Sequence, residues 1–208
     1  MRLGLQGRIL LMLCLVSLLQ LVLLSGASYY YVAEQRYREV GDQALDVARL
    51  VAREPGVIAG VKRADTARLN VLVERMRAEV GASYIVIGDE EARRLVHPNA
   101  DRIGKPMMGD DPGRALQGEF YISRAQGSLG VSVRGKGPIR DEMGRVIGVV
   151  SVGYLVRDIE ADLQGFLRFG LAMTLLIVLL NSAAAAWLAK RYKRALLGFE
   201  PEQIGRLY

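Results

Sequence analysis

The sequence predicts an α+β domain with an antiparallel sheet, held between two membrane-crossing helices. Three observations point there. Two long uncharged runs lie towards the ends of the chain, a helix-period pattern between them gives way to a strand-period pattern, and the surplus of positive charge is confined to the outer flanks of the runs.

No charged residue occurs from Ile9 to Ala33 or from Phe169 to Ala189. A hydrocarbon core needs about 20 helical residues at about 1.5 Å each, so both runs are long enough to cross. The basic start (Arg2, Arg8), the apolar run and Ser25-Gly26-Ala27 also fit a cleavable signal peptide. The run continues through Tyr29, Tyr30, Tyr31 and Val32, however, and aromatic residues gather at membrane interfaces, which favours a retained anchor.

The net charge of +6 would suit nucleic acid if it formed a patch, but Arg2, Arg8, Lys190, Arg191, Lys193, Arg194 and Arg206 all flank the runs, opposed only by Glu200 and Glu202. The segment between is close to neutral. Lys and Arg beside the outer ends of both spans place both termini in the cytoplasm. The expected layout is a cytoplasmic start (1–8), a first span (9–33), an outer domain (34–165), a second span (166–189) and the beginning of a cytoplasmic segment (190–208). Membrane lipid is a partner in this layout; nucleic acid is not. The one cysteine, Cys14, lies in the first span, so the outer domain is held by burial rather than by disulfides.

Within the outer domain, Val40, Leu45, Ala48 and Val51 or Ala52 recur at helical spacing, so the first span should continue outward as one helix as far as Pro55-Gly56. A second amphipathic helix carries Leu69, Leu72, Val73, Met76 and Val80 on one face and stops at Gly81. Short strands follow at 84–87 and 94–97 around a turn at Gly88-Asp89. The stretch from Pro98 to Pro112 reads as an irregular loop. A short helix at 113–117 and a strand at 120–125 come next. Strands at 131–140 and 146–156 then flank the turn Asp141-Glu142-Met143-Gly144, and the last leads through 158–166 into the second span.

Little here suggests catalysis. His97 is the single histidine, no metal-ligand spacing stands out, and Gly135-Lys136 lacks the surroundings of a phosphate loop. Neither a metal nor a cofactor is expected. The distinctive set is cationic. Alternation along 131–136 puts Val131 and Val133 on one face and Ser132, Arg134 and Lys136 on the other. Gly135 between the two cations permits close approach of backbone or ligand. Taken alone, this strand reads as a solvated sheet face with two basic residues. Arg94 and His97 form a second cluster, although an offset of three puts them on opposite faces of a straight strand. Gly127-Ser128-Leu129-Gly130 has the glycines of an anion-binding backbone nest.

The stretch from Ser83 to Leu155 resembles the extracytoplasmic sensor domain of the citrate and four-carbon dicarboxylate sensor histidine kinases, of the CitA/DcuS type. The motifs are Ala82-Ser83-Tyr84-Ile85-Val86, Arg94-Leu95-Val96-His97-Pro98-Asn99, Ile103-Gly104-Lys105-Pro106, Gly109-Asp110-Asp111 and Ala115-Leu116. They continue with Tyr121-Ile122-Ser123, Gly127–Gly130, Arg134-Gly135-Lys136 and the run Val146–Tyr154. The resemblance implies a PAS-like fold of the single Cache type, a bacterial inner-membrane location with a periplasmic sensor domain, and a homodimer. It also implies a citrate or other di- or tricarboxylate ligand held by Arg94, His97, Ser128, Leu129, Arg134, Lys136 and Ser151. A lysine at 136 favours citrate, whereas Val86 stands where citrate sensors can carry threonine. Gly198-Phe199-Glu200-Pro201-Glu202-Gln203-Ile204 resembles the opening of the family's cytoplasmic PAS domain. The kinase core, and with it the cognate response regulator, would belong to a longer parent protein, so no enzymatic activity is expected of this chain. A chemoreceptor output and a bitopic scaffold without a small ligand remain the alternatives.

Overall fold

The computed structural model describes residues 5–107 and 112–196. The Gly109-Asp110-Asp111 run, the segment from Gly198 to Ile204, and Arg2 and Arg206 lie outside the described residues. The chain divides into a compact unit of Val32–Leu163 and a second unit formed by the chain before and after it.

Helix α1 runs from Leu5 to Arg53 without interruption. Beyond Val32 it buries Val40, Ala44, Val47, Ala48, Val51 and Ala52 at steps of three and four, the stripe of a helix lying on a sheet. It stops just before Pro55, which starts α2 (Pro55–Arg63), where its missing N–H and fixed φ suit a first helical turn. This short helix was not expected from the sequence, where Pro55-Gly56 reads only as a break. Gly60 is needed for packing instead: a Cβ there would sit 2.5 Å from Leu69 Cγ. Helix α3 (Thr66–Val80) is capped by Asp65, whose carboxylate accepts from the Arg68 N–H at 3.1 Å. It ends at Gly81, whose φ of 64° completes a left-handed C-cap.

The sheet contains β1 (Tyr84–Asp89), β2 (Arg94–Val96), β3 (Tyr121–Gly127), β4 (Gly130–Arg140) and β5 (Val146–Leu155), with α4 (Gly113–Leu116) before β3. The order is β2-β1-β5-β4-β3 and every pairing is antiparallel. The α+β class with helices gathered on one sheet face is therefore as expected. On that face Ile85, Ile87, Val96, Ile139, Val150 and Val152 meet Val47, Val51, Val57, Val61, Leu69 and Val73 in one apolar core. Burying each such side chain contributes about 1.5–3 kcal/mol. The loop after β2, expected to be irregular, contains a 3-10 turn at Ala100–Arg102 and then lies along the outer edge of β2. There Arg93 pairs with Pro106, the Arg94 N–H donates to Lys105 O, and the Gly104 N–H donates to Arg94 O.

Helix α5 (Val156–Leu196) starts at the residue after β5 ends. The stretches Cys14–Arg53 and Val156–Leu188 meet the length and composition needed to cross a membrane. Leu19, Leu23, Leu24, Leu175 and Leu179 along them are exposed, as side chains facing lipid would be.

Candidate functional site

The sheet face away from the helical core carries the polar set. Strand register arranges it in two rows. Tyr121, Lys136, Ser151 and Val86 lie side by side across β3, β4, β5 and β1, and Ser123, Arg134, Gly153 and Tyr84 form the next row. Neighbours in such a row stand about 5 Å apart at Cβ, close enough to act on one small molecule. Gly153 makes the second row continuous, because a Cβ there would meet the Tyr84 ring at 2.1 Å. The ring crosses the glycine, and its hydroxyl meets Ser132 Oγ at 2.8 Å.

Arg94 joins this face through a β-bulge. Ile87 pairs with Val96 but Gly88 pairs with Arg94, so Leu95 is an extra residue in β2. Arg94 therefore shares the face of Gly88, Val96 shares the core face of Ile87, and His97, one residue on, returns to the side of Arg94. The bulge brings together the two residues that a straight strand would separate. The 104–105 strap bonds both the N–H and the carbonyl of Arg94, and the Arg94 guanidinium donates to Lys105 O at 3.4 Å.

Arg94, Met107, Gly127, Ser128, Arg134, Lys136, Ser151, Tyr84 and Val86 line one cavity of about 20 Å³, room for roughly one water. Arg94 and Arg134 are 3% exposed and Lys136 is 1% exposed, and none of the described lining residues is acidic. Burial, and then the neighbouring Arg102, pull the Arg94 pKa below its ordinary value.

The remaining expected residues stand slightly apart. His97 reaches the cavity through Ser128, its Nε2 lying 3.0 Å from Ser128 Oγ. Its Nδ1 lies 2.9 Å from the Asn99 amide nitrogen and 3.0 Å from the Asn99 carbonyl oxygen, so either tautomer of the neutral ring has a partner at both nitrogens. Burial holds the His97 pKa below 6.5; the Asn99 backbone bond opposes it, and Arg94 and Arg102 lower it further by smaller amounts. This agrees with the neutral ring. Leu129 packs with Tyr84, Val86 and Leu155 rather than forming part of the cavity wall.

Five of the seven sequence-derived positions thus share one cavity: Arg94, Ser128, Arg134, Lys136 and Ser151. Sequence reasoning gave no role at the site to Tyr84 or Met107. Alternation placed Ser132 on the right face, but nothing local marks a tyrosine leaning across a glycine. Burial raises the Tyr84 pKa, with Ser132 and Arg134 opposing, so the phenol stays protonated and can donate. As a whole, the arrangement offers guanidinium, ammonium, hydroxyl and imidazole donors on one side and an apolar wall on the other. It suits a small organic anion carrying more than one carboxylate.

A five-stranded antiparallel sheet with one long helix entering it, another leaving it and a cationic cavity on its open face is the architecture of a single Cache sensor domain. The chain belongs to the single cache domain 3 family, which matches residues 31–168. It is 36% identical over 203 residues to the sensor histidine kinase CitA of Klebsiella pneumoniae, covering 97% of this chain and 37% of that protein. It is 39% identical over 174 residues to the sensor protein CitS of Halalkalibacterium halodurans, covering 82% of this chain and 32% of that one. The chain thus spans about a third of the length of these relatives. Among solved structures, the Escherichia coli DcuS sensor domain superposes with a TM-score of 0.58 at 30% identity, covering 62% of this chain and 98% of that domain.

Proposed function

We propose that this chain is the receptor portion of a two-component sensor histidine kinase, and that its cache domain binds citrate or a closely related di- or tricarboxylate. The observation that carries the reading is the convergence of Arg94 from β2 with Arg134 and Lys136 from β4 on a single cavity, with Ser128 and Ser151 between them. Planar guanidinium groups match carboxylates in two-point contacts, and a third cation favours a third carboxylate. The two apolar helices and the basic flanks support a two-pass inner-membrane topology with both termini cytoplasmic and the domain outside. The sensor kinase relatives support a response regulator as the eventual partner, reached through a kinase core in the longer parent, and the family resemblance supports a homodimer.

Ligand capture biases the domain only by binding one conformation better than another. Anion binding would draw β2 and β4 together across β1 and β5, and β5 leads directly into α5.

Isothermal titration of the full chain in lipid nanodiscs with citrate, malate, fumarate and succinate tests the proposal. Citrate binds wild type, and Arg134→Ala weakens it by about 2–5 kcal/mol, the range for truncating one partner of a buried charge pair. Equal citrate affinity in wild type and Arg134→Ala would remove the cavity from the proposal.

A further inference from the structure

We propose that Met107 is the residue that sets how large an anion the cationic cavity admits, a reading that rests on the carboxylate-sensor function proposed above. The cavity holds about 20 Å³, and a dicarboxylate is several waters in size, so a lining group has to yield before any such ligand enters. Most of the lining is fixed. Lys136, Arg134 and Ser151 project from paired strands, and Val86 is β-branched on another. Tyr84 is held by Ser132, and the Arg94 guanidinium donates to Lys105 O.

Met107 differs in its side chain. Its backbone is anchored, with its N–H donating to Ala92 O at 2.9 Å next to the Arg93–Pro106 bridge. Its side chain is unbranched, has three rotatable bonds and forms no polar contact among the described residues that would hold it. It packs at once against the Tyr84, Val86 and Leu155 cluster beside the cavity and against the Ala115, Tyr121 and Val149 cluster behind it. Its thioether is seated over Gly88, where a Cβ would lie only 2.9 Å from Sδ. Gly88 pairs with Arg94 on β2 and with Val149 on β5. The glycine thus provides the seat, and the methionine is an adjustable plug between two apolar clusters. A six-carbon tricarboxylate requires the plug to withdraw further than a four-carbon dicarboxylate does. The rotamers open to Met107 therefore govern discrimination by size, while the cations govern discrimination by charge.

The test is the ratio of dissociation constants for citrate and succinate, measured by isothermal titration on the full chain in nanodiscs, for wild type, Met107→Ala, Met107→Leu and Met107→Phe. The stiffer, bulkier Phe lowers citrate affinity at least about tenfold more than succinate affinity, the scale of discrimination expected from one or two heavy atoms in an apolar wall. Alanine shifts the ratio in the opposite direction, towards the larger acid. Leucine, close in volume, leaves it within about threefold. A parallel loss for both acids in the Ala and Phe variants marks a packing role only and overturns the proposal, as does an unchanged ratio. If wild type binds neither acid, the carboxylate reading falls and this one with it. If wild type binds both and the ratio stays put, only the role of Met107 falls. Should Met107→Phe not fold, the direction of the shift in Met107→Ala decides alone.

Discussion

Gly135 stands between the two β4 cations, and its α-carbon faces helix α1. A Cβ built there would sit 2.3 Å from the carbonyl carbon and oxygen of Ala44 and from the backbone nitrogen of Leu45. Ordinary carbon contacts fall at about 3.5–4.0 Å, so Gly135→Ala requires α1 and β4 to separate locally by more than about 1 Å. Neither partner can bend aside, because both sides of the contact are main chain. The separation would loosen the stripe around Val40, Ala44, Val47 and Ala48, all at most 7% exposed. Overpacking a core costs about 1–3 kcal/mol, and an obstacle of backbone puts this site at the upper end, about 3 kcal/mol. For a folded unit of this size each kcal/mol lowers the melting temperature by about 3–5 °C, so a fall of about 10 °C is expected. Differential scanning calorimetry of the full chain in nanodiscs measures it. Gly26→Ala, where a Cβ meets nothing within 4 Å, serves as the control. A Gly135→Ala melting temperature within about 2 °C of the control would refute the direct seating of α1 on β4.

Other perturbations address the site and its supports. The folded-state pKa of His97 lies below 6.5, so in the ligand-free chain the unfolded state takes up the proton first as pH falls. Stability is full above about pH 7 and declines as pH drops through 6.5 towards the lowered value; melting curves of His97→Gln lack that part of the slope. A bound anion favours the imidazolium, so citrate affinity declines as pH rises through the lowered free-state value of His97, which lies below 6.5, and a flat titration profile from about pH 5 to 8 would exclude His97 from the binding equilibrium. Gly153→Ala drives the Tyr84 ring off β5 and breaks its bond to Ser132, which should weaken citrate at least about tenfold in calorimetric titration. Asp65→Ala removes the α3 cap and costs about 1 kcal/mol by thermal unfolding, with ligand affinity unchanged.

What the sequence revealed of the site depended on whether the relevant contact was local. Alternation along β4 is a property of consecutive residues, and it put Ser132, Arg134 and Lys136 on one face as the structure has them. The union of Arg94 with His97 depends on Leu95 being left over when β2 pairs with β1, a property of two strands together that no single strand displays. Gly135 was legible as a point of close approach, but not what approaches: it is the α1 backbone, on the face opposite the cations. Met107 falls in a stretch that composition marks only as loop, and its seat on Gly88 is created by chain folding far from either residue's neighbours. Helix α2 was hidden for a related reason, because its glycine is selected by Leu69 of another helix rather than by helical propensity.

The junction at Leu155 and Val156, where strand passes into helix with no residue between, fixes the angular phase of α5 as well as its height. Each residue inserted there would turn everything downstream by about 100° and lengthen it by about 1.5 Å. An insertion of seven residues restores nearly the original face at a distance of about 10 Å, whereas two or five present the far side. Output that follows axial displacement alone would be indifferent to that rotation. Output that depends on which face α5 presents would rise and fall with insertion length, at the period of the helix itself.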